Sequence, residues 1–155
     1  MQENFDRDLM ILLHDVARML RTRSDQRARA RGMTRAQWVI LARLARQPGI
    51  SQNELAQICE VEPITVGRLI DRLEAHGLVE RRGDPKDRRV RRLHLLPSAE
   101  PILEEIAAYR EALNEQLVDG LDDAARNKLI DMLIFMKTKL STDNTPITKM
   151  QMAGE

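Results

Sequence analysis

The chain has 155 residues, enough for one compact domain with helical extensions; 43% of them are hydrophobic, but only 3% are aromatic. Few aromatic residues and few β-branched runs favour helices over a β-sandwich or barrel. The single cysteine excludes an internal disulfide and predicts a cytoplasmic location, and we expect neither a signal segment nor a membrane-spanning run.

The net charge of +1 conceals three charged blocks. From Arg18 to Arg35, seven arginines stand against one aspartate, a local net charge of +6. From Arg81 to Arg92, seven basic residues stand against two aspartates, and the local net charge is +5. From Glu100 to Asp131 the local net charge is −6. Such blocks predict one side that faces a polyanion and another that avoids it.

Apolar residues at helical spacing predict a long first helix from Phe5, and Gly32 ends the arginine-rich stretch that follows it. Thr34 is the predicted N-cap of a second helix, which Pro48 and Gly49 stop. The predicted inward face of this helix is Trp38, Leu41, Ala42, Leu44 and Ala45.

Ser51 and Glu54 have the spacing of a capping box, which opens a short third helix. Pro63 suits the first turn of a fourth helix, and Gly77 suits its end. The third helix carries the apolar residues Leu55, Ala56 and Ile58, and the predicted buried stripe of the fourth is Val66, Leu69, Ile70 and Leu73.

Two short strands, at 78–82 and 90–95, are predicted to form a hairpin with a polar, charged loop. Pro97 restarts a long helix, on which Glu104 and Glu105 are expected to be solvated. Gly120 breaks that helix and Asp122 caps a last one, which runs to Leu140.

A helix, a turn, a second helix and a basic hairpin form the pattern of a winged helix-turn-helix that binds DNA. The third helix, with Ser51 and Gln52 at its start, is expected to support the fourth and offer its N–H groups to a phosphate. Short and basic residues on the fourth helix are expected in the major groove, with Thr65 against a thymine methyl group and Arg68 against a guanine edge or phosphate. The hairpin tip is expected in the neighbouring minor groove. The predicted DNA-binding residues are Ser51, Gln52, Ile64, Thr65, Gly67, Arg68, Arg72, Lys86, Asp87, Arg88 and Arg89.

The segments Met33–Trp38, Leu73–Arg81, Asp84–Arg89 and Leu93–Leu95 resemble the MarR family of bacterial regulators, and the likeness extends over roughly residues 5–140. The resemblance implies that the first and last helices of two chains interlock as a homodimer. It also implies that Arg89 reaches the minor groove while Asp87 braces the wing. The chain departs from the family at Leu96 and Ala99, where Thr and Gly are common, so Ser98 becomes the candidate cap of the fifth helix.

The predicted fold class is therefore mainly α with a small β-hairpin wing, in an intertwined helical homodimer. The predicted parts are a dimerisation helix at 1–32, the winged helix-turn-helix at 33–96, dimerisation helices at 97–140 and a flexible tail at 141–155. The predicted function is a repressor that binds a pseudo-palindromic double-stranded operator and is released by a small ligand. The alternative is a winged-helix module that binds proteins and not DNA.

The resemblance implies a site for small phenolic or carboxylate ligands between the dimer helices and the DNA-binding lobe. The candidate residues are His14, Arg18, Trp38 and Tyr109, although each also fits a purely structural or solvated role. Cys59 is expected to be a small core residue, which does not support a peroxide sensor. No nucleophile–base pair, phosphate loop or metal-ligand spacing stands out, so we expect no enzyme activity, no cofactor and no metal.

Overall fold

The computed structural model describes residues 5–59 and 61–142, so the predicted tail lies outside them from residue 143 onward. The described chain is mainly helical with one antiparallel hairpin, which confirms the predicted mainly α class with a small β-hairpin wing. The homodimer stays a prediction. The helices are α1 (Leu9–Arg29), α2 (Arg35–Arg46), α3 (Gln52–Cys59), α4 (Pro63–Ala75), α5 (Glu100–Val118) and α6 (Asp123–Thr142), and the strands are β1 (Val79–Gly83) and β2 (Arg91–Leu95). No helix in the described ranges has an apolar stretch long enough to cross a bilayer.

The chain divides into two compact units, one ending at Tyr109 and the other beginning at Arg110. The first unit contains α1 to α4, the hairpin and the start of α5. The second unit contains the remainder of α5 and all of α6. The predicted functional boundaries at residues 32/33 and 96/97 remain a prediction.

The hydrophobic core of the first unit joins α2, α3, α4 and the hairpin. The side chains of Val66, Ile70 and Leu73 form the buried stripe of α4, as the sequence predicts, while Leu69 is only half-buried. Burial of a side chain of this size contributes about 1.5–3 kcal/mol. The other large, fully buried side chains are Ile40, Leu41, Leu44, Leu55, Val79 and Leu93.

The inward-facing prediction for Ala45 is wrong. In α2 the side chain of Ala45 is exposed, whereas Ile40 and Gln37 are buried. Burial of Gln37 is possible because its side-chain oxygen accepts the Thr34 N–H at 2.8 Å, which completes a capping box. In α3, Ile58 lies at the rim of a surface cavity and is exposed.

The ends of several elements differ slightly from the sequence prediction. α1 begins at Leu9 with Asp8 as its N-cap, because the preceding Phe5–Arg7 segment forms a separate 3-10 turn. Ser98 does not cap α5; its hydroxyl donates to the carbonyl of Gly77, and a 3-10 turn over Pro97–Ala99 leads into the helix. α6 continues past Leu140 to Thr142.

The hairpin is joined to the connection between α2 and α3. The N–H of Leu93 donates to Ile50 and the N–H of Gly49 donates to Leu93, both at 3.0 Å, and Ser51 forms an isolated bridge with Arg92. Gly49 has a φ of 79°, a left-handed conformation that glycine adopts without strain. The α2–α3 connection therefore lies against β2 as a short third strand would.

Candidate nucleic-acid interface

The helix α4 presents an exposed face opposite its buried stripe. Ile64, Thr65, Arg68 and Arg72 are all exposed on it, and Ile64 is an exposed apolar side chain at the start of the helix. Pro63 occupies the first turn and needs no N–H partner there. The short side chains at the start of the helix and the arginines further along it are free to meet a ligand.

Gly67 of α4 has a packing role that the sequence prediction missed. A Cβ atom at this position would lie 3.2 Å from the Gln52 side-chain nitrogen, which is tighter than ordinary contact. A Cβ atom there would require the Gln52 amide, the end of a flexible side chain, to move by a few tenths of an ångström. Gln52 and Gly67, both predicted to contact DNA, thus also bring α3 and α4 together.

Arg81 on β1 connects α3, α4 and the hairpin. Its guanidinium donates to the Gln52 side-chain oxygen and to the Gly67 carbonyl, each at 3.1 Å, and it pairs with Asp71 at 2.8 Å and with Glu74. The Glu74 carboxylate also accepts the Arg81 N–H at 3.0 Å. Arg81 therefore belongs to the internal structure of the lobe and is not a free cation of the wing.

Asp84 organises the wing tip. One of its oxygens accepts the N–H groups of Lys86 (2.7 Å) and Asp87 (3.1 Å), and the other accepts from the Arg92 guanidinium at 2.7 Å. Within residues 5–59 and 61–142, the Asp87 carboxylate accepts the Arg89 N–H at 2.9 Å and lies 3.7 Å from the Arg89 guanidinium, while the Asp87 carbonyl accepts the Val90 N–H at 3.0 Å. The resemblance assigned the bracing to Asp87, but most of the bracing contacts come from Asp84.

Arg92 ties the wing to the start of α3. Besides Asp84, its guanidinium reaches the Gly49 carbonyl at 3.1 Å and the Glu54 carboxylate at 3.6 Å. Glu54 in turn accepts the Ser51 N–H at 2.8 Å, and the Ser51 hydroxyl accepts the Glu54 N–H at 3.2 Å, which confirms the predicted capping box. The hydrogen bonds from Ser51 hold the pKa of Glu54 below its ordinary value, and Arg92 adds to the effect.

The remaining basic residues of the hairpin face outward. Lys86, Arg88 and Arg91 are exposed and form no ion pair within the described ranges, and the Arg89 side chain is 94% exposed. Beside these side chains, a cleft of about 150 Å³ lies between the α3 N-terminus and the base of the wing. Its lining residues are Ser51, Gln52, Asn53, Arg89, Val90 and Arg91. The cleft combines helix N–H groups with arginines, which is favourable for an anion.

The wing should lose its order in acid because of Asp84. Hydrogen bonds from Arg92, and then from the Lys86 and Asp87 N–H groups, lower the pKa of this carboxyl. A lowered folded-state pKa stabilises the fold above the unfolded value of about 3.9, and that contribution is lost as the pH falls through the folded value. In an NMR titration, the Lys86 and Asp87 amide resonances should move with a midpoint below 3.9. Asp84→Asn should abolish this transition, and a midpoint at or above 3.9 would contradict the bracing role.

The four predicted ligand residues divide into two pairs. Trp38 and Tyr109 pack edge to face with ring centroids 6.1 Å apart, and Trp38 is only 4% exposed. The Trp38 indole N–H is buried with no hydrogen-bond partner in the described part of the chain. His14 and Arg18 are exposed on α1, where Arg18 pairs with Asp15 at 3.0 Å. Among the described residues, no hydrogen bond or ring contact joins these two to Trp38.

Glu105 is mostly buried and is paired with two arginines, contrary to the expectation from the sequence. Its side chain is only 14% exposed, and it pairs with Arg27 at 2.9 Å and Arg31 at 2.6 Å. The expectation that Glu104 and Glu105 are both solvated is therefore wrong for Glu105. Two arginines of the first basic block are held by this carboxylate, so that block offers fewer free cations than its sequence charge suggests.

Sequence patterns did not identify Arg81, Asp84, Arg92 or Glu105 as organising residues. Each of them makes its main contacts with residues distant in sequence or in a turn whose geometry is not visible in the pattern. The signal that was available is Asp84 ahead of Pro85, since aspartate commonly binds the N–H groups two and three residues later.

The chain is similar to known transcriptional regulators. A sequence model described as the MarR family matches residues 31–90. The solved structure of the transcriptional regulator PA3341 is 31% identical, with 88% of this chain and 100% of that one covered at a TM-score of 0.77. The structure of MarR is 29% identical, with 92% of this chain and 97% of that one covered at a TM-score of 0.77. The structure of the S. aureus MepR–DNA complex is 22% identical, covers 89% and 99% at 0.75, and is alike in fold.

Proposed function

The chain belongs to the MarR family of transcriptional regulators, and on that premise we propose that it binds a pseudo-palindromic DNA operator as a homodimer and represses transcription until a small ligand releases it. α4 enters the major groove, the wing tip contacts the minor groove, and the α3 N-terminus contacts a phosphate. The observation that carries this proposal is the cleft where Arg89 and Arg91 meet the start of α3. The S. aureus relative is itself seen bound to DNA, which supports the same use of the fold.

Exposed apolar side chains on α1 and on α6 support the proposed homodimer. Such apolar surface is usually covered by a partner. In the proposed dimer, a second copy of the chain covers the exposed apolar residues of α1 and those of α6. The exposed residues are Leu9, Met10, Ile11, Leu12, Val16 and Met19 in α1, and Leu129, Ile130, Met132, Leu133, Ile134, Phe135 and Leu140 in α6.

The ligand is small and either anionic or aromatic. His14, Arg18, Trp38 and Tyr109 remain the predicted contacts, and the unpartnered Trp38 N–H is the feature among them that favours a polar acceptor. Because binding is linked, a ligand that weakens DNA binding must itself bind more weakly in the presence of operator, by the same factor.

Arg89→Ala should weaken binding to every DNA sequence, because the exposed Arg89 acts through the phosphates and the minor-groove potential. The slope of log K against log salt should become shallower by about one per subunit. Thr65→Ala should keep nearly the same salt slope and lose about 1–3 kcal/mol of discrimination at one base position. Gel shifts over a salt series, on the operator and on single-base variants, measure both effects.

Arg46→Ala provides the control, since Arg46 is exposed on α2 and outside the candidate interface. If Arg89→Ala matched Arg46→Ala in affinity and salt slope, the wing would not contact DNA. If the unmodified protein bound neither the operator nor a random duplex at low salt, a protein-interaction module would be the better explanation.

A further inference from the structure

Ile64 has the most exposed large apolar side chain among the described residues of the first unit, at 72%. Most of the other exposed apolar side chains lie on α1 and α6, where the proposed second copy covers them. Ile64 lies outside both helices, at the second position of α4. A single exposed apolar residue is common on a protein surface, so the position of Ile64 decides what it can contact.

Ile64 points away from the body of the lobe, opposite the buried stripe of α4. Successive residues of an α-helix are rotated by about 100°, so Val66 and Leu73 lie about 160° and about 180° round the helix from it. Arg68 lies one turn further on, only about 40° round the helix and about 6 Å along its axis. At its N-terminal end, α4 therefore presents Ile64 first to a molecule that approaches this face.

The surface around Ile64 favours a polyanion, although one acidic residue shares this face of α4. Asp71 lies about 20° round the helix from Ile64, but it is bound to Arg81 at 2.8 Å. Arg68 is exposed and forms no ion pair within the described ranges. Glu62 borders a cavity that α3 lines. The charge that an approaching duplex meets beside Ile64 is therefore that of an unpaired arginine.

The chemistry of isoleucine restricts which base it can contact without loss of binding energy. Its side chain has no donor or acceptor, so contact with the N4, N6, N7 or O6 groups of the other bases would cover polar atoms that then have no partner. Thymine differs because its C5 methyl group projects into the major groove. An isoleucine against that methyl group buries apolar surface on both molecules.

We propose that Ile64 determines specificity at one base position of each half-site, where it selects a pyrimidine that carries a C5 methyl group. In unmodified DNA this base is thymine. 5-Methylcytosine presents the same methyl group, so methylation of a cytosine at that position strengthens binding. Thr65 points about 100° away round the helix and contacts a different base. This role rests on the proposed function, and it adds a response of binding to cytosine methylation.

Deoxyuridine substitution tests the methyl contact, because it removes the methyl group and leaves every hydrogen-bonding atom of thymine in place. An operator is first selected from a random duplex library, and each thymine is then replaced symmetrically in both half-sites. Loss of one buried methyl group should weaken binding about fourfold, and loss in both half-sites about fifteenfold. Fluorescence anisotropy at a fixed salt concentration measures the affinity. If no thymine of the selected operator showed this loss, the inference would be wrong.

Ile64→Ala assigns the contact to this residue. At the sensitive position, the difference between thymine and deoxyuridine should fall to less than about threefold, because alanine is too short to bury the methyl group. Thr65→Ser, which removes only the methyl group of threonine, should keep the full difference there. Ile58→Ala is the matched control, since Ile58 is an exposed isoleucine of α3 outside the candidate interface, and it should also keep the difference. An unchanged difference in Ile64→Ala would overturn the assignment.

Cytosine methylation provides the reverse test at the same position. The sensitive thymine–adenine pair is replaced by cytosine–guanine, with the cytosine either unmodified or methylated at C5 in both half-sites. The unmodified protein should bind the methylated duplex about fifteenfold more tightly, and Ile64→Ala should bind the two duplexes within about threefold of each other. Equal binding of both duplexes by the unmodified protein would overturn the proposal.

The same titrations separate this inference from the proposed function. A methyl-dependent position whose effect is lost in Ile64→Ala supports both. A selected operator without such a position, or one whose effect is lost only in Thr65→Ser, rejects the role of Ile64 and leaves the proposed function standing. A protein that binds no duplex at low salt rejects both.

Discussion

Replacing Arg81 with methionine should lower the free energy of unfolding by about 2 kcal/mol. The side chain is 20% exposed and satisfies Asp71, Glu74, Gln52 and the Gly67 carbonyl together. Breaking a fully buried pair costs about 3–5 kcal/mol and an exposed pair about 0–1 kcal/mol, so a partly buried arginine should fall between them. Urea denaturation at a fixed protein concentration measures the change.

Arg82→Met is the matched control for this prediction. Arg82 is the next residue of the same strand, but its side chain is 56% exposed and, among the described residues, pairs only with Glu80. Its replacement should change stability by less than about 0.5 kcal/mol. Similar losses in the two variants would mean that Arg81 is not a structural centre of the lobe.

Deleting residues 1–20 should give insoluble or aggregated protein. The deletion removes the part of α1 that carries its exposed apolar side chains, which in our proposal a second copy covers. An obligate dimer has a stability that depends on protein concentration, and a chain without its dimer helix has no stable alternative. Solubility, and light scattering after size exclusion, measure the outcome. Deleting residues 143–155, the part of the predicted 141–155 tail that lies beyond α6, should leave the assembly intact.

A point variant separates loss of the dimer from loss of folding. Val16 is 49% exposed on α1, so Val16→Glu should not disturb the core of a single chain. In the proposed dimer it would bury an unpaired carboxylate, which should weaken association by roughly a hundredfold. A soluble, folded monomer after deletion of residues 1–20, or unchanged association of Val16→Glu, would contradict the proposed dimer.

Local features of the fold were predictable from the sequence. Three of these features depend on residues within a few positions of one another. They are the Ser51–Glu54 capping box, the cap at Asp122 and the left-handed Gly77 at the end of α4. Asp122 accepts the Ala125 N–H at 2.7 Å. The hairpin also followed from local alternation and turn residues, and each strand begins only one residue later than predicted. Short-range hydrogen bonding and periodicity carry this information.

Charge was harder to predict because its effect depends on distant partners. The local net charge of the wing block includes two arginines that are already paired. Arg81 is bound to Asp71 and Glu74 of α4, and Arg92 is bound to Asp84 of the wing and lies 3.6 Å from Glu54 of α3. Glu105 is separated from Arg27 and Arg31 by more than seventy positions, so no pattern along the chain indicates that they pair. The position of the candidate interface along the chain stays a prediction, while the division between structural and free cations needed the structure.

The contact between the α2–α3 connection and β2 has a consequence for the order of folding. The Arg92–Gly49 hydrogen bond joins residues 43 positions apart, and α3, α4 and β1 all lie within the loop that it closes. Closing a long loop costs conformational entropy, and this cost falls once the intervening helices and the hairpin have formed and shortened the flexible path. We therefore expect the helix-turn-helix to assemble first and the bridge to close last, so that the hairpin acquires its fixed direction only on a lobe that is already folded.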